Sequence, residues 1–304
     1  MSGQRSDDAD DIVRDAVERF AGDHRVLLEA FAEAEHVALN RASWNQATLN
    51  HNSHKGDQAE ALRRGEDPLF PEELELLGDL DGVSVAHLQC NAGQDSLGLA
   101  LRGAAVTGID LSDTAIEFAR ELSGKTGIPA TFVRDEILSW THATDERFDV
   151  AFASYGVLGW NRDLGAWMRG AHRVLKPGGR LVIMEFHPVV WSLGQTLALT
   201  GDDYFAPGPF AEPVSDYVAE TLDRDPLPNE HVAHGFQHSL AEIVQAVVDA
   251  GLQLRTLREY PHSNYARLSP GLVAGPDRTW VFPQGKARIP LMFGLVADRP
   301  TNEA

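Results

Sequence analysis

The chain has 304 residues, 43% of them hydrophobic, with 26 Lys and Arg against 45 Asp and Glu for a net charge of -19, which is apolar material enough for a full α/β core with appended segments. Such acidity repels nucleic-acid phosphates and no local basic patch offsets it, so the expected partner is a small-molecule acceptor, with no nucleic acid. The opening MSGQRSDDADD is not a basic and apolar leader, no run of about 18 apolar residues occurs, and a single cysteine excludes an internal disulfide, so the expectation is a cytoplasmic protein with no membrane association.

Taken in chain order, residues 8–40 hold two helical patterns. Ile12, Val13, Ala16, Val17 and Phe20 mark the first, and Val26, Leu27, Phe31 and Ala32 the second, giving an N-terminal helical extension over 1–40. A polar connection over 41–82 carries Trp44, His51, His54 and Lys55 into the core. From residue 83 strands and helices alternate: strands at 83–89, 104–110, 130–134, 149–154 and 180–186, with helices at 94–102, 113–123 and 162–176. Alternation of this kind predicts an α/β fold, a doubly wound and mostly parallel sheet with helices on both faces. Ser112 begins one helix; Ser239 with Glu242 forms a capping box for another, whose apolar face is Ile243, Ala246, Val247 and Ala250 before Gly251 stops it.

After that helix come LQLRTLREY and IPLMFGLVADR, two strand-like runs with no helix between them. Strands joined without a crossover helix pair antiparallel. The core over 83–298 is interrupted by insertions at 189–236 and 261–288. They carry Trp191, Tyr204, Phe205, Phe210 and Tyr217 in the first, and His262, Tyr265, Trp280 and Phe282 in the second. Loops of such length are functional or disordered, and aromatic content argues against disorder. They are expected to roof a substrate pocket; the rival reading is the surface of a homodimer.

The first strand-to-helix turn reads Gln89-Cys90-Asn91-Ala92-Gly93-Gln94-Asp95, and the second strand closes on Asp110, 17 positions beyond Gly93. An acidic residue there accepts hydrogen bonds from both ribose hydroxyls of a nucleoside. The turn lacks GxGxxG, and Asp95 repels phosphate, so the nucleoside expected here carries a positive sulfonium and an amino acid end rather than a pyrophosphate.

On these residues the chain resembles the class I S-adenosylmethionine-dependent methyltransferases, over about residues 40–298. HLQCNAGQDSLGLA resembles the family's first motif in a variant where LQC and a following GQD replace DLGCGTG; His87, Gln89 and Asn91 are the departures. GID ending at Asp110 resembles the ribose motif, RFDVAFASYGVLGW the fourth motif, and RVLKPGGRLVIMEFHP the helix, turn and fifth strand that follow it. The resemblance implies a seven-stranded sheet with an antiparallel last strand and S-adenosylmethionine as cofactor, leaving S-adenosylhomocysteine as product. It implies a cofactor site at Gln89, Cys90, Asn91, Gly93, Asp110, Leu111 and Ser154, with adenine held near Asp135, Glu136 and Ile137. It also makes the segment 41–82 a lid and places Trp44 over the cofactor.

Methyl transfer from a sulfonium is an in-line displacement, so positioning and exclusion of water supply much of the acceleration and a base is optional. The ends of the fourth and fifth strands face the crevice, which nominates Tyr155 and His187, with His238 second as a base; the alternative for either histidine is a hydrogen-bonded pocket wall. Glu230, His231, His234 and His238 invite a metal reading, but a loop fixes no helical ligand pair, so no metal is expected. No tyrosine is followed four residues later by lysine, and GxSxG and P-loop patterns are absent. The expected function is methyl transfer to N or O of a small molecule, a tailoring step on a specialised metabolite. Non-methylating chemistry on the same cofactor, or a non-catalytic cofactor-binding scaffold, are the alternatives.

Overall fold

The computed structural model describes residues 24–194, 196–199, 201–265 and 268–301. Helices α1 (His24–His54), α2 (Gln58–Arg63) and α3 (Pro71–Leu77) precede a repeating strand and helix pattern. It runs β1 (Ser84–Leu88), α4 (Gln94–Ala100), β2 (Ala105–Asp110), α5 (Asp113–Thr126), β3 (Thr131–Arg134), α6 (Ile137–Ala143), β4 (Phe148–Ser154), α7 (Leu164–Val174) and β5 (Leu175–Phe186). After the first insertion follow α9 (Leu240–Asp249) and β8 (Gln253–Tyr260), and after the second β12 (Met292–Asp298). Seven strands form one sheet in the order β3-β2-β1-β4-β5-β12-β8. Pairing is parallel from β3 to β5, and β12 lies antiparallel to both β5 and β8.

The apolar runs are explained by burial on both faces. Along β5, Leu181 and Ile183 join Trp140, Trp167, Met168, Phe293 and Leu295 on the face covered by α6, α7 and α9. Val182 and Met184 point the other way, onto Leu69, Leu76, Leu77, Val106 and Phe152. Each such side chain, removed from water, contributes roughly 1.5–3 kcal/mol. Helix starts follow the local chemistry: the Ser112 hydroxyl accepts the Ala115 N–H at 3.0 Å, and Ser239 and Glu242 close the expected capping box. Sequence periodicity missed α6, one short helix capped by the Glu136 carboxylate, which accepts from Leu138 and Ser139.

The stretch 41–54, expected as part of a polar connection, is the C-terminal half of one continuous helix, α1. Four of its polar residues, Ser43, Thr48, Asn50 and His51, are buried rather than solvated. The Ser43 hydroxyl accepts the Val214 N–H and the Asn229 amide; Asn50 donates to the carbonyls of Leu227 and Pro228; His51 bonds the Ser215 carbonyl, and His54 pairs with Asp216 at 2.9 Å. All those partners belong to the first insertion. The first helical pattern of the sequence, Ile12 to Phe20, lies outside the described residues, as do the side chains of Val26, Leu27, Phe31 and Ala32.

Both insertions are built structure. The first contains the hairpin β6 (Phe210–Pro213) with β7 (Val232–Gly235), and the short helix α8 (Tyr217–Thr221). The second holds a three-stranded sheet of β9 (His262–Ser263), β10 (Val273–Ala274) and β11 (Trp280–Val281). Leu268, Leu272 and Phe282 of the second insertion pack with Val190 and Leu291 into a separate apolar cluster beyond the end of β5.

Candidate functional site

The turn after β1 is held in a sharp conformation by three left-handed residues, Gln89 (φ 58), Asn91 (φ 50) and Gly93 (φ 79). Gly93 is required by packing as well as by φ. A Cβ there would lie 2.7 Å from Ala119 Cβ and 2.9 Å from the Phe132 ring. Cys90 is buried against Gly108, and burial raises its thiol well above the ordinary range, so it fills space beneath the turn. Gln89 turns its side chain away from the crevice, its carbonyl accepting from Asn161 Nδ2 (3.0 Å) and Trp167 Nε1 (2.9 Å). At its Asp-type motif position, buried His87 bonds Ser96 Oγ at 2.8 Å and is pushed down to about 3 by burial.

Asp110 organises the other side. Its Oδ2 accepts the Asn91 N–H at 2.7 Å and its Oδ1 the Ser112 N–H at 2.8 Å. Burial lifts its carboxyl to about 6 against those backbone N–H groups, yet the residue keeps accessible surface. A carboxylate oxygen holds more than one lone pair, so each keeps capacity for a ribose hydroxyl. Helix α1 crosses this point: Asn45 Oδ1 accepts from Ser112 Oγ (2.7 Å) and Thr114 N–H (3.3 Å), which lays the helix over Asp110 and Leu111. Trp44 packs edge-on against Trp160, 5.4 Å between centroids.

At the adenine position, the Asp135 N–H donates to the Asp110 carbonyl and Asp135 Oδ1 accepts the Glu136 N–H. Both Glu136 oxygens are taken by the α6 N-terminus, and Ile137 is in the core. Asp135 and Leu111 are therefore the members of this group placed to meet a ligand.

Of the residues expected to move a proton, Tyr155 follows β4 with a left-handed backbone, φ 46. Its ring meets Phe70 and Phe186, and its hydroxyl is buried with no partner and raised by burial and by Glu73, Glu72 and Asp95. His187 faces away from the crevice. Its Nδ1 accepts the Val189 N–H at 3.2 Å and its Nε2 lies 3.0 Å from Glu259 on β8, so both ring nitrogens are engaged. His238 Nε2 bonds the Asn161 carbonyl at 2.8 Å, and the ring borders a separate surface cleft of about 590 Å³ with Arg162, Asp163 and Glu242. Glu185 accepts N–H groups from Gly156, Val157, Leu158 and Phe186, and so fixes the loop after β4. His234 of the histidine-rich loop meets His36 on α1, Nδ1 to Nδ1 at 2.5 Å. Among the described residues no group of three or more His, Cys, Asp or Glu is placed to hold a metal, and no helix is long and apolar enough to cross a membrane.

The sequence reading named Tyr217 and Tyr265 only as aromatic residues of the expected roof, and did not count Asp95 or Lys55 among the site residues. Asp95, two residues after Gly93 in the first turn of α4, keeps part of its surface accessible, and burial raises its carboxyl to about 6. Lys55 follows α1 and faces Asp95. The Tyr217 ring lies tilted against His51, 3.9 Å between centroids, and meets Tyr265 edge-on at 5.9 Å. Tyr265 continues to Phe186, and Arg278 lies 4.3 Å over the Phe70 ring. The aromatic content of the insertions was the signal for the tyrosines; nothing in the sequence marks Asp95 or Lys55 as neighbours.

This combination of topology, turn and acidic strand end defines a class I methyltransferase fold with a nucleoside site. The sequence model of the family described as "Methyltransferase domain" matches residues 85–179. The chain is 31% identical over 169 residues to the 2-phytyl-1,4-naphtoquinone methyltransferase of Nostoc punctiforme, covering 50% of this chain and 69% of that protein. It is 30% identical over 146 residues to a ubiquinone biosynthesis O-methyltransferase of a Methylobacterium species, covering 48% of this chain and 55% of the relative. A solved S-adenosylmethionine dependent methyltransferase from Mesorhizobium loti superposes with a TM-score of 0.54 at 21% identity, over 75% of this chain and 96% of that one. The chain belongs to the S-adenosylmethionine-dependent methyltransferases. It spans about half the length of the first curated relatives it matches.

Proposed function

We propose that the chain transfers a methyl group from S-adenosylmethionine to N or O of a small acceptor. The observation that carries this reading is Asp110. Its two oxygens accept from Asn91 and Ser112 while part of its surface stays accessible to a ribose, and a run of ring contacts links Tyr155, Phe186, Tyr265 and Tyr217. When bound, the cofactor supplies the electrophilic methyl. The chain's own residues do the rest. Asp110 orients the nucleoside, Asp135 and Leu111 flank the base, Trp44 and Asn45 bring α1 across the site, and the tyrosines exclude water from the methyl. Tyr155, neutral and with no hydrogen-bond partner at its hydroxyl, would hold the acceptor; both ring nitrogens of His187 and Nε2 of His238 are engaged, which speaks against either as the base.

The aromatic arc favours a flat acceptor that stacks, and the names of two relatives point to quinone-type rings. A tailoring step on a specialised metabolite accommodates both. A panel of phenols, hydroquinones and aromatic amines offered with labelled cofactor, read by mass spectrometry, tests the reading. Label in a product supports it; tight S-adenosylhomocysteine binding with no transfer to any member favours a binding protein.

A further inference from the structure

Strands β1 and β4 lie side by side and parallel, and each is followed by a non-glycine residue with left-handed backbone, Gln89 (φ 58) after β1 and Tyr155 (φ 46) after β4. Residues other than glycine rarely adopt that conformation, and it costs free energy unless the surroundings impose it. At Tyr155 the surroundings are plain. Its N–H donates to the Met184 carbonyl at 2.7 Å, and Gly156, itself left-handed at φ 76, begins a run of successive N–H groups that converge on one carboxylate. Glu185 Oε1 accepts from Gly156 and, at 2.7 Å, from Phe186; its Oε2 accepts from Val157 at 2.7 Å and from Leu158 at 3.1 Å. Successive amides in a left-handed turn form a cradle for an anion. Here the cradle is filled by the chain's own side chain, buried at 5% exposure.

The same loop is tied to the cofactor turn. After a single 3-10 turn, Leu158–Trp160, the Asn161 amide donates to the Val157 carbonyl at 2.9 Å and to Gln89 Oε1 at 3.0 Å. Gln89 Oε1 accepts a second bond from Trp167 Nε1 of α7 at 2.9 Å. Asn161 is buried, so its donors are costly to leave unmade. One carboxylate and one amide thus brace the two strained strand ends against each other. Beyond the brace, the Tyr155 ring meets Phe70 and Phe186, and its hydroxyl is buried with no partner. An in-line displacement needs donor and acceptor held in register, and a misplacement of about 1 Å costs about 100-fold in rate.

Resting on the proposed methyl transfer, with Tyr155 holding the acceptor, we infer that Glu185 and Asn161 are positioning residues for the reaction. Glu185 keeps Tyr155 in its left-handed conformation, and Asn161 fixes that loop to Gln89 of the cofactor turn. Both act through the backbone of the loop rather than on the reacting atoms. The distance between the donor's seat and the tyrosine is set by this brace.

Fluorotyrosine incorporated at the five tyrosines reads the brace by fluorine NMR without an acceptor. Tyr155→Phe assigns the Tyr155 signal, and Tyr204, whose hydroxyl accepts the Leu240 N–H at 3.1 Å, reports an intact fold. In Glu185→Gln, whichever way the amide turns, its NH2 faces two of the N–H groups that the carboxylate held. Asn161→Asp keeps the shape and removes both donations at neutral pH. Each variant should shift or split the Tyr155 signal and leave that of Tyr204 in place; Glu185→Asp, which withdraws the carboxylate by one methylene, serves if the Gln variant fails to fold. With a phenol, hydroquinone or aromatic amine that takes label, kcat at saturating cofactor should fall by about 100-fold in each. A Tyr155 signal unmoved in either folded variant, or a moved signal with undiminished kcat, overturns the assignment of that residue and leaves the proposed transfer standing. If S-adenosylhomocysteine fails to bind the unmodified protein by calorimetry, or no acceptor takes label, the reading beneath it is overturned instead.

Discussion

Replacing Asp110 with alanine removes two functions that the structure separates. The carboxylate accepts the Asn91 N–H at 2.7 Å and the Ser112 N–H at 2.8 Å, and each such bond to a charged acceptor is worth about 1.5–3 kcal/mol. Water entering the crevice recovers part of this, so the ligand-free protein should lose about 2–4 kcal/mol of stability. The ribose contact is additional. Losing a charged acceptor for two hydroxyls weakens nucleoside binding by about 2–3 kcal/mol, or about 30- to 150-fold. Urea unfolding of the ligand-free variant measures the first effect and calorimetric titration with S-adenosylhomocysteine the second. The pH dependence has a definite sign. Burial raises the folded carboxyl to about 6, so the folded state holds the proton where the unfolded chain has released it. Its contribution to stability is therefore fully present below about pH 4 and lost as pH rises through about 6, whereas nucleoside affinity, which wants the ionised form, should rise over the same interval. Asp110→Asn should flatten that affinity profile. A variant with lowered stability and unchanged affinity would refute the ribose assignment while leaving the turn as described.

Three further outcomes are expected. Gly93→Ala should lower stability by about 2–4 kcal/mol, read as a fall in the thermal midpoint, because its Cβ would sit 2.7 Å from Ala119 at φ 79; a stable variant would mean that α5 and β3 can yield. Cys90 should react with a thiol reagent only as fast as the protein unfolds, since it is buried and its thiolate is disfavoured; rapid labelling of the native protein would contradict its role as filler. His187→Asn should lower stability by about 1–3 kcal/mol through loss of the Val189 and Glu259 contacts while sparing turnover, and the reverse pattern would restore this histidine as a base.

The fold was legible wherever burial leaves a periodic trace. Strands sandwiched between helix layers read as apolar runs, and the adjacent placement of LQLRTLREY and IPLMFGLVADR dictated an antiparallel closure, seen as β12 against β8. The ribose end was legible for a related reason: an acid closing an apolar strand stands out against its neighbours. What stayed hidden was polar burial. The C-terminal half of α1 reads as a solvated connection because Ser43, Asn50, His51 and His54 interrupt any apolar stripe, yet each is bonded to the first insertion about 160 or more residues away. The side-chain partners of Gln89 and Glu136 stayed hidden for the converse reason. The two side chains are spent on Trp167 and on the start of α6, and only the backbone geometry decides that.

This distribution of polar contacts ties the two halves of the site together. Helix α1 is held on one side by Asn45 at the strand end carrying Asp110, and on the other by the insertion that supplies Tyr217. The Asn91 N–H is in turn gripped by Asp110, and the Tyr217 ring lies against His51 of the same helix. Because buried hydrogen-bonded contacts are costly to leave unmade, the bonds that Ser43, Asn50 and His51 make to the first insertion hold it against α1. Helix α1 therefore joins the strand end that carries Asp110 to an insertion more than 100 residues further along the chain.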